Sequence, residues 1–406
     1  MTRGLTVAVG LSGGVDSTVA ALLLRNQGAD VVGVHMSNWE APPARGGDAD
    51  GRPMAEQCSM DTERDLARRV CAQLRIPFRE VRFREEYWQD VVAPYTAGTS
   101  AAVTPNLDLN CNRHIKFGAL HAFCMDRAGD VRADAVATGH FARLSGNLAG
   151  RGGGAFRRGS LPPSSALGGG SDRQLLRGAD PRKDQSYFLA SAHEATLQNA
   201  LFPLGNLTKE RVRRIASSHG LCTALRPSTK GVCMIGRGAS HRSFVSEHVP
   251  PRPGPVLCVD SGRLLGGHDG AHLFTTGQRL RLRGWQRPWF VAGRGGADGN
   301  DVYACMGEGH PALFRRRVAI VDTFWVRGAP PAACAGGMPV PLTYKANSSQ
   351  TPLPCTLSWT PGTPGTPDLT VSFPRPAGIL ASGQALVLYD GDVCLGGGMI
   401  AADVHL

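Results

Sequence analysis

The stretch Val7-Ala8-Val9-Gly10-Leu11-Ser12-Gly13-Gly14-Val15-Asp16-Ser17, followed by the apolar run 18–24, decides the fold of this 406-residue chain. A short β-branched run that breaks into Ser-Gly-Gly and continues as a good helix former predicts a strand, a tight loop and a helix. Glycines let the backbone approach a ligand, Ser12 and Ser17 offer hydroxyls, and a helix N-terminus presents unpaired N–H groups. The stretch therefore predicts a site for a nucleotide phosphate or pyrophosphate.

The glycine spacing of this stretch matches neither the Walker loop nor the dinucleotide-binding fingerprint. An ordinary strand-to-helix turn with glycines for packing is the alternative interpretation. Two glycines flanked by Ser12 and Asp16, directly after the first strand, favour the ligand site. The apolar run 30–36 predicts a second strand, and the α/β alternation predicts a parallel sheet.

Length and charge narrow the class of protein. The chain is long enough for two or three domains, and 42% hydrophobic with 19% charged residues is typical of a globular protein. Lys+Arg 44 against Asp+Glu 33 gives a net charge of +11, which favours a polyanionic partner such as nucleic acid. No apolar run is long enough for a membrane span, and the first strand begins too early for a targeting peptide, so we expect neither in this chain.

Cysteine usage argues against zinc and against a disulfide framework, because the 11 cysteines are scattered and form no CxxC pair. We therefore predict no metal site of protein ligands and a reducing compartment. Residues 104–117 predict a turn and then a helix beginning at or just after Asn110 or Cys111. A thiol at a helix N-terminus, with Arg113 and Lys116 nearby, is expected to have a lowered pKa and to be nucleophilic. Cys233, in a short apolar run between glycines, by itself favours a core residue.

Later segments predict a strand that ends at the nucleotide site, a disordered insert and a barrel. The run 133–140 predicts a buried strand whose Gly139 can approach a nucleotide, while His140 fits a structural role at least as well as a catalytic one. Residues 38–60 predict a mobile loop, 145–171 a disordered Gly-rich insert, and 360–367 a flexible hairpin. The region opened by 207–216 is basic and helical; its arginines either face phosphates or form a solvated face. Short β-like runs in the last third predict an antiparallel barrel: 317–322, 340–344, 355–359, 369–373 and 384–389.

Taken together, these segments resemble the MnmA-type tRNA-specific 2-thiouridylases, bacterial and mitochondrial, whose SGGxDS loop is that of the PP-loop ATP pyrophosphatases. The resemblance covers nearly the whole chain, including 104–117, 183–188, 231–236 and the closing 389–398. It implies an open, mostly parallel α/β sheet as the PP-loop domain, then a small central α+β domain and a C-terminal antiparallel β-barrel. The corresponding divisions are 1–203 for the ATP-binding catalytic domain (with the disordered insert 145–171), 204–279 for the central domain, which is expected to bind tRNA, and 280–406 for the barrel.

The resemblance also implies residue roles. Cys111 is expected as the nucleophile, Cys233 as the persulfide carrier, and Asp108 as a proton shuttle or base-positioning group. ATP is expected at Gly10, Leu11, Ser12, Gly13, Gly14, Val15, Asp16, Ser17, Met36 and Gly139. The target base or tRNA is expected at Asn106, Leu107, Asp108, Lys183, Asp184, Gln185, Lys345 and Ala346. At residues 345–347 the family usually has an Arg-aromatic-Arg contact with tRNA; Lys345 keeps one charge, whereas Ala346 and Asn347 lack the ring and the second guanidinium.

The activity so implied is ATP-dependent adenylation of the 2-oxygen of the wobble uridine, followed by its replacement with persulfide sulfur. ATP and Mg²⁺ are the expected cofactors, and tRNA with a sulfur-relay or cysteine desulfurase protein are the expected partners. A monomer in a mitochondrial matrix or a bacterial-type cytoplasm is expected. Two alternatives stay open: another PP-loop adenylating ligase, and an inactive tRNA-binding homologue.

Overall fold

The computed structural model describes residues 4–39, 59–100, 103–146, 173–227, 241–282, 287–296, 298–335, 337–359 and 369–401. Several predictions therefore lie outside the described residues: most of the loop 38–60, nearly all of the insert 145–171, the segment 229–236 with Cys233, and the hairpin 360–367.

A parallel sheet forms the first part of the chain, as predicted. Its strands run in the order β3-β2-β1-β4-β7, with every neighbouring pair parallel. Two further strands, β5 and β6, form a hairpin outside this sheet. The bounds are β1 Thr6–Gly10, β2 Asp30–Met36, β3 Phe78–Val81, β4 Ala135–Ala137, β5 Ala142–Leu144, β6 Leu175–Arg177 and β7 Ala200–Leu201.

Helices cover both faces of this sheet because successive strand residues point to opposite sides. Val7 and Val9 pack with α1, α2 and α9, whereas Ala8 packs with the helices between β3 and β4. The bounds are α1 Val15–Asn26, α2 Ser59–Leu74, α3 Arg84–Tyr87, α4 Ala93–Ser100, α5 Leu107–Asn110, α6 Leu120–Met125, α7 Ser186–Leu189, α8 Glu194–Leu197 and α9 Lys209–Ser218. Two π-helical segments, Trp88–Val92 and Cys111–Ala119, join α3 to α4 and α5 to α6.

A second, mixed sheet follows in the order β10-β11-β12-β8-β9. Its elements are α10 His241–His248, β8 Gly254–Cys258, β9 Leu264–His268, β10 Arg279–Leu280, β11 Trp289–Gly295 and β12 Asp301–Met306, with a 3-10 turn at Ala271–Leu273. The divisions predicted at 203/204 and 279/280 stay predictions. Strand pairing runs across the second of them, because β8 pairs with β12. Leu204 and Val212 likewise pack into the core of the first sheet.

The last part of the chain is a closed antiparallel barrel, which confirms the architecture expected from the spacing of its strands. Six strands pair in the order β13-β16-β15-β14-β17-β18, and the pairing of β13 with β18 closes the ring. A 3-10 turn at Pro311–Leu313 precedes it. The bounds are β13 Phe314–Trp325, α11 Ala332–Ala335, β14 Val340–Lys345, β15 Leu353–Trp359, β16 Leu369–Gly378, β17 Ala385–Asp390 and β18 Val393–Ile400.

The barrel is joined to the first unit through the β5–β6 hairpin. Leu176 of β6 pairs with Val393 of β18, so the hairpin extends the barrel sheet. Ala142 and Leu175 share a buried apolar cluster with Tyr187 and with Val387 of the barrel. This shared core fixes the barrel against the first unit. Among the residues that the structure describes, no helix has both the length and the apolar character that a membrane span requires.

Candidate active site

The loop between β1 and α1 has the geometry of an anion site. Gly13 adopts a φ of +68°, a left-handed conformation that favours glycine. Gly14 is the N-cap of α1 in an extended conformation and has no side chain to cap the helix. The first-turn N–H groups of α1 are thus left for a ligand. The hydroxyls of Ser12 and Ser17 lie 3.3 Å apart, and the Ser12 N–H donates to Ser17 Oγ at 3.3 Å.

The carboxyl ends of neighbouring strands meet at this loop. A Cβ on Gly139, two residues after β4, would lie 2.7 Å from the Ser17 nitrogen, so this position has room only for glycine. Met36 ends β2, the other neighbour of β1, and is half-buried. These strands therefore place Gly139 and Met36 on either side of the loop, at the edge where open α/β sheets bind ligands.

Two cations from a distant part of the chain also contact the loop, and the sequence did not indicate them. The Lys209 ammonium lies 2.5 Å from a carboxylate oxygen of Asp16. The Arg226 guanidinium donates to the Gly13 carbonyl at 2.6 Å and pairs with Glu63 at 3.1 Å. The structure thus places positive charge from the segment after residue 203 on the predicted nucleotide site.

The helix that carries Cys111 begins one turn earlier than predicted. Asn106 is the N-cap of α5, and its side-chain oxygen accepts a hydrogen bond from the Leu109 N–H at 3.1 Å. Cys111 consequently lies within the continuous helix rather than at its N-terminus. The predicted lowering of its pKa is wrong for this conformation: burial raises the pKa of the Cys111 thiol, and the Lys116 charge only partly opposes that shift.

Cys111 also opens the π-helical segment Cys111–Ala119. Because each hydrogen bond of a π-helix joins residues i and i+5, Lys116 lies about one turn after Cys111 on the same side of the segment. The Lys116 charge acts on the pKa of Cys111, of Asp108 and of His140. The ammonium of Lys116 is therefore the common electrostatic neighbour of the three groups.

His140 fits the structural interpretation. Its Nδ1 lies 2.7 Å from the Thr138 hydroxyl, and its ring is buried beside those of Phe117 and Phe202. Desolvation, assisted by the Lys116 charge, holds its pKa well below the ordinary value for histidine. His140 is thus a neutral imidazole that joins the ligand edge of the sheet to the helix of Cys111.

Asp108, one turn before Cys111 on the same helix, is exposed to solvent. The surrounding protein nevertheless removes part of its hydration, which raises the pKa of its carboxyl, while Lys116 acts in the opposite direction. Asn112 donates from its side chain to the Asp108 carbonyl at 2.8 Å, which secures the turn. A carboxyl with a raised pKa beside a thiol is suited to proton transfer.

The segment before this helix lies where all three parts of the chain meet. The Thr104 N–H donates to the Ser382 carbonyl of the barrel side at 2.9 Å, and Arg294 of the middle sheet donates to the Thr104 hydroxyl at 3.3 Å. The Tyr187 hydroxyl donates to the Ala346 carbonyl at 3.2 Å and also interacts with the Asn106 side chain. The segment predicted to contact the target base is thus positioned by contacts with both the middle sheet and the barrel.

The residues predicted to contact tRNA divide into exposed and buried ones. Lys183 is exposed, and Gln185 is half-buried with its side-chain oxygen accepting from the Phe141 N–H at 2.9 Å. Asp184 and Lys345 form an ion pair of 3.0 Å with side chains only 1% exposed. Their contact with tRNA stays a prediction; in the structure the pair lies between the first unit and the barrel. Cys233 lies outside the described residues, and its role also stays a prediction.

Comparison with known proteins identifies the family. A family model described as the tRNA methyl transferase HUP domain matches residues 5–237, one described as the tRNA methyl transferase PRC-barrel domain matches 242–306, and an aminomethyltransferase beta-barrel domain matches 315–400. A HUP domain of this PP-loop type implies the use of ATP.

Curated relatives cover nearly the full length. The mitochondrial tRNA-specific 2-thiouridylase 1 of Gallus gallus is 37% identical over 98% of this chain and 92% of its own. The tRNA-specific 2-thiouridylase MnmA of Geobacillus thermodenitrificans is 37% identical over 97% of this chain and 94% of its own. That of Paracidovorax citrulli is 38% identical over 98% and 96%. With these matches along all three of its parts, the chain belongs to the family of tRNA-specific 2-thiouridylases, which includes bacterial and mitochondrial members.

Proposed function

We propose that this protein is an ATP-dependent tRNA sulfurtransferase that converts the wobble uridine of its tRNA substrates to 2-thiouridine, releasing AMP and pyrophosphate. One observation carries the proposal. A Cβ on Gly139 would lie against Ser17 of the phosphate loop, and the Lys116 charge acts both on neighbouring His140 and on Cys111, which supports a single site formed by the loop and the helix of Asp108 and Cys111. A phosphate loop alone supports adenylation, whereas a cysteine and a carboxyl beside it support sulfur transfer.

Adenylation comes first because the 2-oxygen of uracil is a poor leaving group. Attack of that oxygen on the α-phosphorus of ATP forms an O–P bond and expels pyrophosphate. The N–H groups at the start of α1, with Ser12 and Ser17, receive the pyrophosphate charge. Half-exposed Asp16 would be the protein carboxylate available to a Mg²⁺ ion bound with ATP, and that ion would supply neutralisation of phosphate charge.

Sulfur transfer follows by one of two routes. In the first, a persulfide on Cys233 attacks C2 and expels AMP; the Cys111 thiolate then attacks the Cys233 sulfur, leaving 2-thiouridine and a Cys111–Cys233 disulfide. In the second, Cys111 attacks the persulfide first, releasing sulfide, which attacks C2. Both routes end in the same disulfide, which a cellular dithiol reduces before the next cycle.

Burial of Cys111 has a role in this scheme. With its pKa raised, the thiol is held protonated in the resting site, where an exposed thiolate would be prone to oxidation. Asp108, one turn away and with its own pKa raised, is positioned to accept that proton. The Lys116 ammonium favours the thiolate once it forms.

Binding of tRNA is supported by the net charge of +11, since phosphate contacts supply most of the affinity of such interfaces. Lys183 is the exposed cation nearest in sequence to the buried Asp184. Because the base-facing segment lies at the meeting point of the three domains, the target uridine has to leave its stack to reach it. We further propose a monomer that receives sulfur from a relay or desulfurase protein, in a mitochondrial matrix or a bacterial-type cytoplasm.

The test is reconstitution with purified protein, ATP, Mg²⁺, a persulfide donor and unmodified tRNA. Nucleoside mass spectrometry is expected to show 2-thiouridine with wild-type protein and none with Cys111→Ser or Cys233→Ser. Cys222→Ser is the matched control, because Cys222 is an exposed cysteine outside the site and its loss is expected to leave thiolation unchanged.

Other outcomes separate the alternatives. Thiolation that survives both cysteine substitutions would rule out the relay. Release of AMP that requires a small substrate but neither cysteine would identify a ligase. Absence of tRNA-dependent pyrophosphate release would leave only a tRNA-binding protein.

A further inference from the structure

We propose that Lys209 binds a phosphate of ATP, so that the segment after residue 203, expected from sequence to serve tRNA, completes the nucleotide site. This inference rests on the proposed function, because it names a further residue of the same ATP site. The observation behind it is the ion pair between Lys209 Nζ and Asp16 at 2.5 Å, which joins residues 193 positions apart.

Helix α9 holds Lys209 firmly at this place. Thr208 caps the helix by accepting from the Arg211 N–H at 3.2 Å, and the Lys209 N–H donates to an Asp180 carboxylate oxygen at 3.0 Å. Val212 and Ala216, on the inner face of α9, are completely buried in the core shared with α1. The backbone from which the ammonium projects is therefore fixed relative to the phosphate loop.

The surroundings of the ammonium are those of a ligand group. The Lys209 side chain is only 13% exposed, and its Nζ lies 5.7 Å from the centre of the Phe141 ring. Asp16, its partner, belongs to the first turn of α1, where the free N–H groups of the loop converge. A phosphate bound by those N–H groups would lie within reach of the same ammonium. In a largely desolvated position, its attraction for a phosphate is much stronger than at the surface.

Other cations of α9 are placed differently. Arg211 is exposed, and Arg214 lies 3.8 Å from exposed Glu210 one turn before it. These two side chains point to solvent and fit a tRNA surface or a solvated face. Lys209 therefore differs from its neighbours in facing the phosphate loop, and Arg211 is a suitable control because it lies on the same helix.

The experiment compares wild-type protein with Lys209→Met, Lys209→Arg and Arg211→Met by calorimetric titration with α,β-methylene-ATP and, separately, with adenosine. For Lys209→Met we expect ATP-analogue affinity to fall roughly 10- to 100-fold, the range for one charge-assisted hydrogen bond, with adenosine affinity unchanged. Lys209→Arg is expected to recover most of the loss. Arg211→Met is expected to bind both ligands as wild type does.

Three outcomes overturn the inference. Unchanged ATP-analogue affinity in Lys209→Met shows that the ammonium does not contact phosphate, and leaves the proposed function intact. An equal loss for adenosine and for the analogue shows that Lys209 only supports the loop. Failure of wild-type protein to bind the analogue removes the proposed function together with the inference. Thermal unfolding of each variant, measured alongside, identifies any that does not fold; in that case the Arg substitution decides.

Discussion

Replacing Lys345 by Met tests whether the buried ion pair holds the barrel on the first unit. In the wild-type protein the Lys345 ammonium lies 3.0 Å from Asp184, and both side chains are 1% exposed. The other Asp184 oxygen accepts from the N–H groups of Gly178 at 3.0 Å and Ser186 at 3.1 Å. Arg177 lies 3.8 Å from the oxygen that faces Lys345. The substitution thus removes the nearer of the two cations that face this buried carboxylate.

The expected magnitude follows from that geometry. Two unit charges 3.0 Å apart attract by about 5.5 kcal/mol at an effective dielectric constant near 20. Removing one member of a buried pair typically costs about 3–5 kcal/mol of stability. Because two backbone N–H groups and Arg177 still face Asp184, we expect the lower end, about 3 kcal/mol. The double variant Lys345→Met/Asp184→Leu removes both charges and is expected to recover most of this loss.

The assay is urea-induced unfolding, monitored by tryptophan fluorescence, to which Trp325 and Trp359 of the barrel contribute, and analysed as a double-mutant cycle. Lys183→Met is the control: its side chain is an exposed neighbour of Asp184, so its loss is expected to change stability by less than about 0.5 kcal/mol. A loss below about 1 kcal/mol for Lys345→Met, or no recovery in the double variant, would refute the assigned role of the pair.

Three further predictions concern the active site. Burial raises the pKa of Cys111 above its ordinary 9.0, so alkylation of its peptide, followed by mass spectrometry, should keep accelerating above pH 9; a plateau near pH 7 would contradict this. The pKa of Asp108 is raised above 3.8, so the free energy of unfolding falls as pH rises through the folded-state pKa of this carboxyl. Asp108→Asn should therefore melt at a higher temperature than wild type at pH 7 and lose that advantage towards pH 4. The same variant should not thiolate tRNA. A Cβ on residue 139 would lie 2.7 Å from the Ser17 nitrogen, so Gly139→Ala should weaken ATP-analogue binding and cost about 1–3 kcal/mol of stability; wild-type binding would show that the loop adapts.

Local patterns in the sequence predicted the first sheet and the phosphate loop. The run Val7-Ala8-Val9 followed by Ser12, Gly13 and Gly14 indicates strand, loop and helix, since each feature depends on neighbours within a few residues. The strands of the barrel were predicted for the same reason. Parallel pairing and ligand binding at the carboxyl edge then follow from general rules for α/β folds.

Helix capping around Cys111 shows where a local pattern gave the wrong conclusion. The turn chemistry of the first half of residues 104–117 led to a predicted helix start at or just after Asn110 or Cys111. In the structure, Asn106 accepts the capping hydrogen bond, so Cys111 is enclosed by the helix and its neighbours. Burial then outweighs the favourable charge of Lys116 in setting the pKa of the thiol.

Only the tertiary structure decided what the charged side chains do. The sequence by itself determined that Lys209 lies in a basic helical region and that Asp184 and Lys345 are charged, but their contacts join residues 193 and 161 positions apart. A charged side chain in sequence has no defined partner, because its interaction energy depends on which distant segment packs beside it and on how much water that packing removes. The phosphate loop could therefore be predicted from eleven residues of sequence. The contact of Lys209 with that loop, and the buried ion pair between the first unit and the barrel, could not.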